Sequence, residues 1–161
     1  MKIIFKKGFT LIELLVVVAI IGLLSSIVLA SLNSARARSK DVSIKEEANQ
    51  LATLMALNYN DYGSYCNLQP PTWVGTCNAI FSGTYAANAQ NICTNMYNNA
   101  AENNFGSPGQ YKILIWTYPA TCATSYSFAV YLNDGNWLCS GSSGKGEYST
   151  YYGNHGCYDN P

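Results

Sequence analysis

Two groups of residues have types and spacings that could do chemistry. The first is Gly8, Phe9 and Glu13, at the mouth of a long apolar run. The second is a set of six cysteines, Cys66, Cys77, Cys93, Cys122, Cys139 and Cys157, all in the second part of the chain. An even cysteine count reads as disulfides, which persist outside the cytosol, so these residues are expected to face a periplasm or the cell exterior. No C-x-x-C pair occurs and the single histidine is His155, so no metal site is expected. His155 lies in Gly153-Asn154-His155-Gly156, a loop context that offers no partner for a triad. Gly144-Lys145 fails as a phosphate loop, because Cys139 stands where the first glycine belongs and Gly146 replaces the Ser or Thr, so a turn is expected there. The acids Asp61, Glu102, Asp134, Glu147 and Asp159 are scattered. No enzyme, cofactor or calcium loop is expected from them.

The N-terminal group gains meaning from its surroundings. Residues 1–8, MKIIFKKG, are short and basic, and Phe9 to Leu32 then run 24 residues with Glu13 as the one charge. A bilayer core about 30 Å thick is crossed by about 20 apolar helical residues, so this run can span it. A secretory signal places its small cut-site residue after a shorter apolar core; here Gly8 precedes the run. Cleavage after Gly8 would discard the basic leader and leave the helix on the mature chain. A carboxylate within such a span costs on the order of 2.5–3.5 kcal/mol. No basic residue follows Glu13 within two turns, so we expect its partner to be a cation from another molecule: the α-amine that cleavage would create on Phe9.

Lys6 to Glu13 spell KKGFTLIE, which resembles the leader and cleavage box of type IV prepilins and type II secretion pseudopilins. The resemblance covers residues 1 to about 60. It implies a prepilin peptidase that cuts between Gly8 and Phe9 and methylates the Phe9 amine. It also implies that Glu13 guides docking among other copies of the chain, driven by pilus assembly machinery. Many family members carry a proline where this chain has Ala30. A disulfide between Cys139 and Cys157 would be similar to the cysteine-bounded C-terminal loop of many type IV pilins. Of the fifteen connectivities six cysteines permit, we favour Cys66–Cys77, Cys93–Cys122 and Cys139–Cys157.

The elements that position these residues are legible from periodicity. Gly22, Ser26, Ala30 and Ser34 recur every four residues, a stripe that would let helices approach closely in lipid. Beyond Leu32 the apolar positions Ile44, Ala48, Leu51, Met55, Tyr59 and Tyr62 keep helical spacing, with Asp41 and Lys45 four apart in the order that favours an ion pair. One helix from about Phe9 to Tyr62 is predicted, roughly 80 Å long. Loop follows to about Gly83, then a helix on Ala86, Ala89, Ile92, Cys93, Met96, Tyr97 and Ala100. Three strand-like runs come next, Tyr111–Tyr118, Tyr126–Leu132 and Asn136–Cys139, with a turn at Asn133-Asp134-Gly135.

The predicted class is therefore α+β: a long N-terminal helix, membrane-spanning in its first half, against a small antiparallel sheet with disulfides. Its parts are a leader at 1–8, a transmembrane and assembly helix at 9–32, an amphipathic continuation at 33–62 and a head outside the cytoplasm at 63–161. The 161 residues have zero formal net charge and only 11% charged residues, so no nucleic-acid surface stands out. Tyr148, Tyr151, Tyr152 and Tyr158 are the aromatic candidates for exposed contacts. A filament subunit is the expected function. The alternatives are a pseudopilin of a secretion or DNA-uptake apparatus and a monomeric membrane-anchored binding protein. Arg36, Arg38 and Lys40 follow the span closely, so charge alone barely orients it; the cysteines and the resemblance place the leader in the cytoplasm and the head outside.

Overall fold

The computed structural model describes residues 8–68, 77, 81–102, 112–116, 125–142 and 144–148. The element order is helix α1 (Leu11–Tyr62), helix α2 (Ala86–Asn99), then strands β1 (Ile113–Trp116), β2 (Ser127–Tyr131), β3 (Trp137–Gly141) and β4 (Gly144–Tyr148). The chain divides into two compact units, 1–36 and 37–161, and α1 contributes to both. No proline or glycine interrupts α1 after Gly22 until Gly63, whose φ of 67° and N–H bond to the Tyr59 carbonyl end it as a left-handed cap.

In the unit 37–161, one face of α1 supplies Ile44, Ala48, Leu51 and Met55, all fully buried. Side chains of this size contribute about 1.5–3 kcal/mol each when removed from water, the alanine less. Their partners are Ala89, Cys93 and Met96 of α2 and the sheet residues Ile113, Ile115, Phe128, Val130 and Leu138. The strands form an antiparallel meander, β1-β2-β3-β4, in which Ile115 opposes Phe128 and Val130 opposes Leu138. Alternation along each strand sends Leu114, Ala129, Trp137 and Cys139 to the opposite face, where they form a second buried cluster. The β2–β3 turn is closed by the Gly135 N–H on the Leu132 carbonyl, with Gly135 at φ 91°.

Several expectations are corrected. The buried stripe of α1 ends at Asn58; Tyr59 and Tyr62 are exposed, Tyr59 against the Tyr65 ring at 4.8 Å and Tyr62 hydrogen-bonded to Thr84. Asp41 and Lys45 do not pair with each other. Asp41, 6% exposed, accepts hydrogen bonds from the Asn133 backbone N–H and side-chain amide, both at 2.7 Å. Lys45 instead meets Glu147 of β4 at 2.9 Å, which holds its ammonium pKa above the usual lysine value. Gly144-Lys145 opens strand β4 and is no turn. With only Glu147 and Tyr148 as larger side chains beyond Lys145, its sequence carries little strand signal; pairing with β3 creates it.

The disulfide pattern also differs. Cys77 bonds Cys93, which excludes both Cys66–Cys77 and Cys93–Cys122. Cys66 and Cys139 are disulfide-bonded as well. The expected partner of Cys139 is Cys157, which lies outside the described residues, as do Cys122, His155, Tyr151, Tyr152 and Tyr158. Tyr148 is not in an exposed loop; it ends β4 half-buried against the second cluster.

Candidate assembly site

Helix α1 begins at Leu11 because Thr10 caps it. The Thr10 hydroxyl accepts the Glu13 backbone N–H at 3.3 Å, and Glu13 reaches back to accept from the Thr10 backbone N–H at 2.8 Å and hydroxyl at 2.6 Å. This reciprocal arrangement is a capping box, which satisfies otherwise orphaned donors of a first helical turn. The sequence reading sought a cation for Glu13 and did not include this cap: one carboxylate oxygen, Oε2, takes two neutral donors from Thr10. A Thr followed three residues later by Glu, just before an apolar run, is the signal that could have revealed it. Both Thr10 donors fall on the same oxygen of the Glu13 side chain. Among the described residues, no ion pair involves Glu13.

Among the described residues the surroundings of this tip are open. Phe9 is 76% exposed, and the large apolar side chains from Leu11 to Leu32 are exposed all round the helix. A helix apolar on every side requires lipid or other helices around it. By length and composition α1 can cross a membrane.

Among the described residues nothing requires the two glycines of this region. A Cβ at Gly8 or Gly22 would meet nothing within 4 Å, and neither has a positive φ. In mid-helix, Gly22 costs about 0.5–1 kcal/mol relative to alanine. Gly22, Ser26, Ala30 and Ser34 all lie exposed on α1, and the Ser26 hydroxyl donates to the Leu23 carbonyl at 2.7 Å, which removes an unmatched donor from an apolar surface. Among the described residues no three His, Cys, Asp or Glu side chains cluster as a metal site would need.

A profile of the prokaryotic N-terminal methylation motif matches residues 5–29. The chain is also similar to the "Type IV wide pilus major component PilA4" of Thermus thermophilus, 38% identical over 63 residues. That match covers 39% of this chain and 48% of the relative, so the chain spans about half the length of the curated protein it matches. No solved structure matches.

Proposed function

We propose that the chain is a type IV pilin-like protein and the structural subunit of a pilus-like filament, a reading supported by the methylation motif at residues 5–29 and by the similarity to a pilus component. In this reading a prepilin peptidase cuts between Gly8 and Phe9 and methylates the new Phe9 amine. Before assembly the subunit is held in the membrane by α1, with the leader in the cytoplasm and the head outside. Pilus assembly machinery then packs copies helix to helix, with the Gly22, Ser26, Ala30 and Ser34 stripe as a close-approach surface.

One observation carries the proposal: a helix apolar on all sides with a single carboxylate at its tip. Thr10 supplies that carboxylate with hydrogen bonds but not with charge. In an apolar medium an uncompensated charge stays costly even when hydrogen-bonded, so a neighbour's Phe9 ammonium would find a strong partner in Glu13. The capping box makes that partner ready in position, because it fixes the side chain before a neighbour arrives.

The full-length protein expressed in a host with a prepilin peptidase is the test. Mass spectrometry is expected to find a mature chain beginning at N-methylated Phe9, and electron microscopy to find filaments. A chain that keeps Met1 and stays monomeric would refute the proposal. Short, periplasmic filaments would favour a pseudopilin role instead.

A further inference from the structure

We propose that the surface seam between α1 and α2 binds a neutral saccharide. The seam is a groove of about 450 Å³ lined by Gln50, Thr53 and Leu54 of α1 and by Asn88, Asn91 and Ile92 of α2. Each trio is spaced i, i+3, i+4, so each presents one helix face to the groove.

The distribution of spent and unspent polar groups is what points to a ligand. Thr53 donates its hydroxyl to the Asn49 carbonyl, and Gln50 lies 3.5 Å from Glu46. The exposed side-chain amides of Asn88 and Asn91 have no hydrogen-bond partner among the described residues. Asparagine is a poor helix former, and of the five that α2 carries Asn88 and Asn91 stand one turn apart on the groove face. Each carboxamide offers two donors and two acceptor lone pairs, which matches adjacent hydroxyls that both give and accept hydrogen bonds. Leu54 and Ile92 form an aliphatic floor between these amides, suited to the C–H face of a sugar ring.

Charge narrows the class. Among the described residues no Lys, Arg, Asp or Glu lines the groove, and α2 carries no charged residue. An ionic ligand would enter without a counter-charge. The platform is also firm: Ala89, Cys93 and Met96 anchor α2 in the core, and the Cys77–Cys93 disulfide staples it, so the amides are presented on a fixed element.

The inference does not depend on filament formation, and its test reads binding alone. The full chain, held in a phosphocholine detergent so that no sugar headgroup competes, is titrated with maltotriose, chitotriose, sialyllactose and a neutral tripeptide. Binding of a neutral trisaccharide with a Kd of about 1 mM or tighter is expected, insensitive to salt between about 0.05 and 0.5 M because no charge is involved. The double variant N88A/N91A is expected to weaken it about 30-fold, the loss of two neutral hydrogen bonds. Alanine is the better helix former, so this variant keeps the fold, which circular dichroism checks. Absence of neutral-sugar binding at about 10 mM, tighter binding of sialyllactose or of the tripeptide, or unchanged affinity in the double variant would each overturn the proposal.

Discussion

Removing Asp41 should loosen the head. Its Oδ1 accepts both the backbone N–H and the side-chain amide of Asn133, and the same amide also donates to the Asn99 carbonyl at 3.1 Å. One carboxylate thus ties α1 to the β2–β3 turn, and through Asn133 to the end of α2. Hydrogen bonds to a charged group contribute about 1.5–3 kcal/mol each, and the pair shares one acceptor atom, so Asp41→Ala should cost about 3 kcal/mol. For a unit of this size each kcal/mol lowers Tm by about 4 °C, giving a fall of about 12 °C. Asp41→Asn keeps an oxygen in place for both donors and loses only the charge, so about 1 kcal/mol and about 4 °C are expected. The signal should come from near-ultraviolet circular dichroism of the full chain in detergent, where buried Trp137 and Phe128 report on the head and the apolar part of α1 is silent. A Tm for Asp41→Ala within about 2 °C of the parent, or an equal loss for both variants, would show that the tether does not carry this weight.

Other perturbations test other links. Burial holds the Glu47 carboxyl above the usual glutamate range against the opposing hydrogen bond from Ser43. An acid with a raised folded pKa favours folding least once both states are ionised, so stability from this group falls as pH rises through the folded pKa, starting near the ordinary value of 4.5. Glu47→Gln should therefore raise the urea midpoint at pH 7 and leave it unchanged well below pH 4.5; a loss at pH 7 would reverse the assignment. Replacing Cys77 and Cys93 together by alanine opens a loop of sequence separation 16 and should cost about 3 kcal/mol, read as a lower Tm that reductant no longer shifts through this bond. A bulky residue at Gly8 finds open space in the chain itself, so Gly8→Leu should fold normally yet retain its leader by mass spectrometry. Normal processing of that variant would move the cut site.

Legibility from sequence followed periodicity. Ile44, Ala48, Leu51 and Met55 recur at helical spacing and are the residues α1 buries, and Ala89, Cys93 and Met96 repeat the lesson on α2. Strands β1 and β2 are aromatic and β-branched, and β3 opens on Trp137 just after the Asn133-Asp134-Gly135 turn, so all three announced themselves. The edge strand β4, Gly144–Tyr148, did not, because its pairing with β3 and the reach of Lys45 to Glu147 are long-range facts that no local pattern encodes. Asp41 fell to the same limit: a local rule gave it Lys45, whereas a turn 92 residues away offered two donors in fixed geometry. The Cys77–Cys93 bond was equally invisible, since sequence leaves all pairings open until α2 and its preceding loop are brought together. At the candidate site, the tip of α1 was readable as an acid in an apolar run. The Thr10 cap was readable too, from spacing alone, and it adds hydrogen bonds to an acid still without an ion-pair partner among the described residues.

The distance from the Phe9 amine to the nearest Glu13 carboxylate of a neighbouring copy, measured by electron cryomicroscopy of assembled filaments, tests that last distinction. An ion pair within about 4 Å is the predicted result. A Glu13 bonded to its own Thr10 alone, with every neighbouring amine beyond about 8 Å, would contradict it.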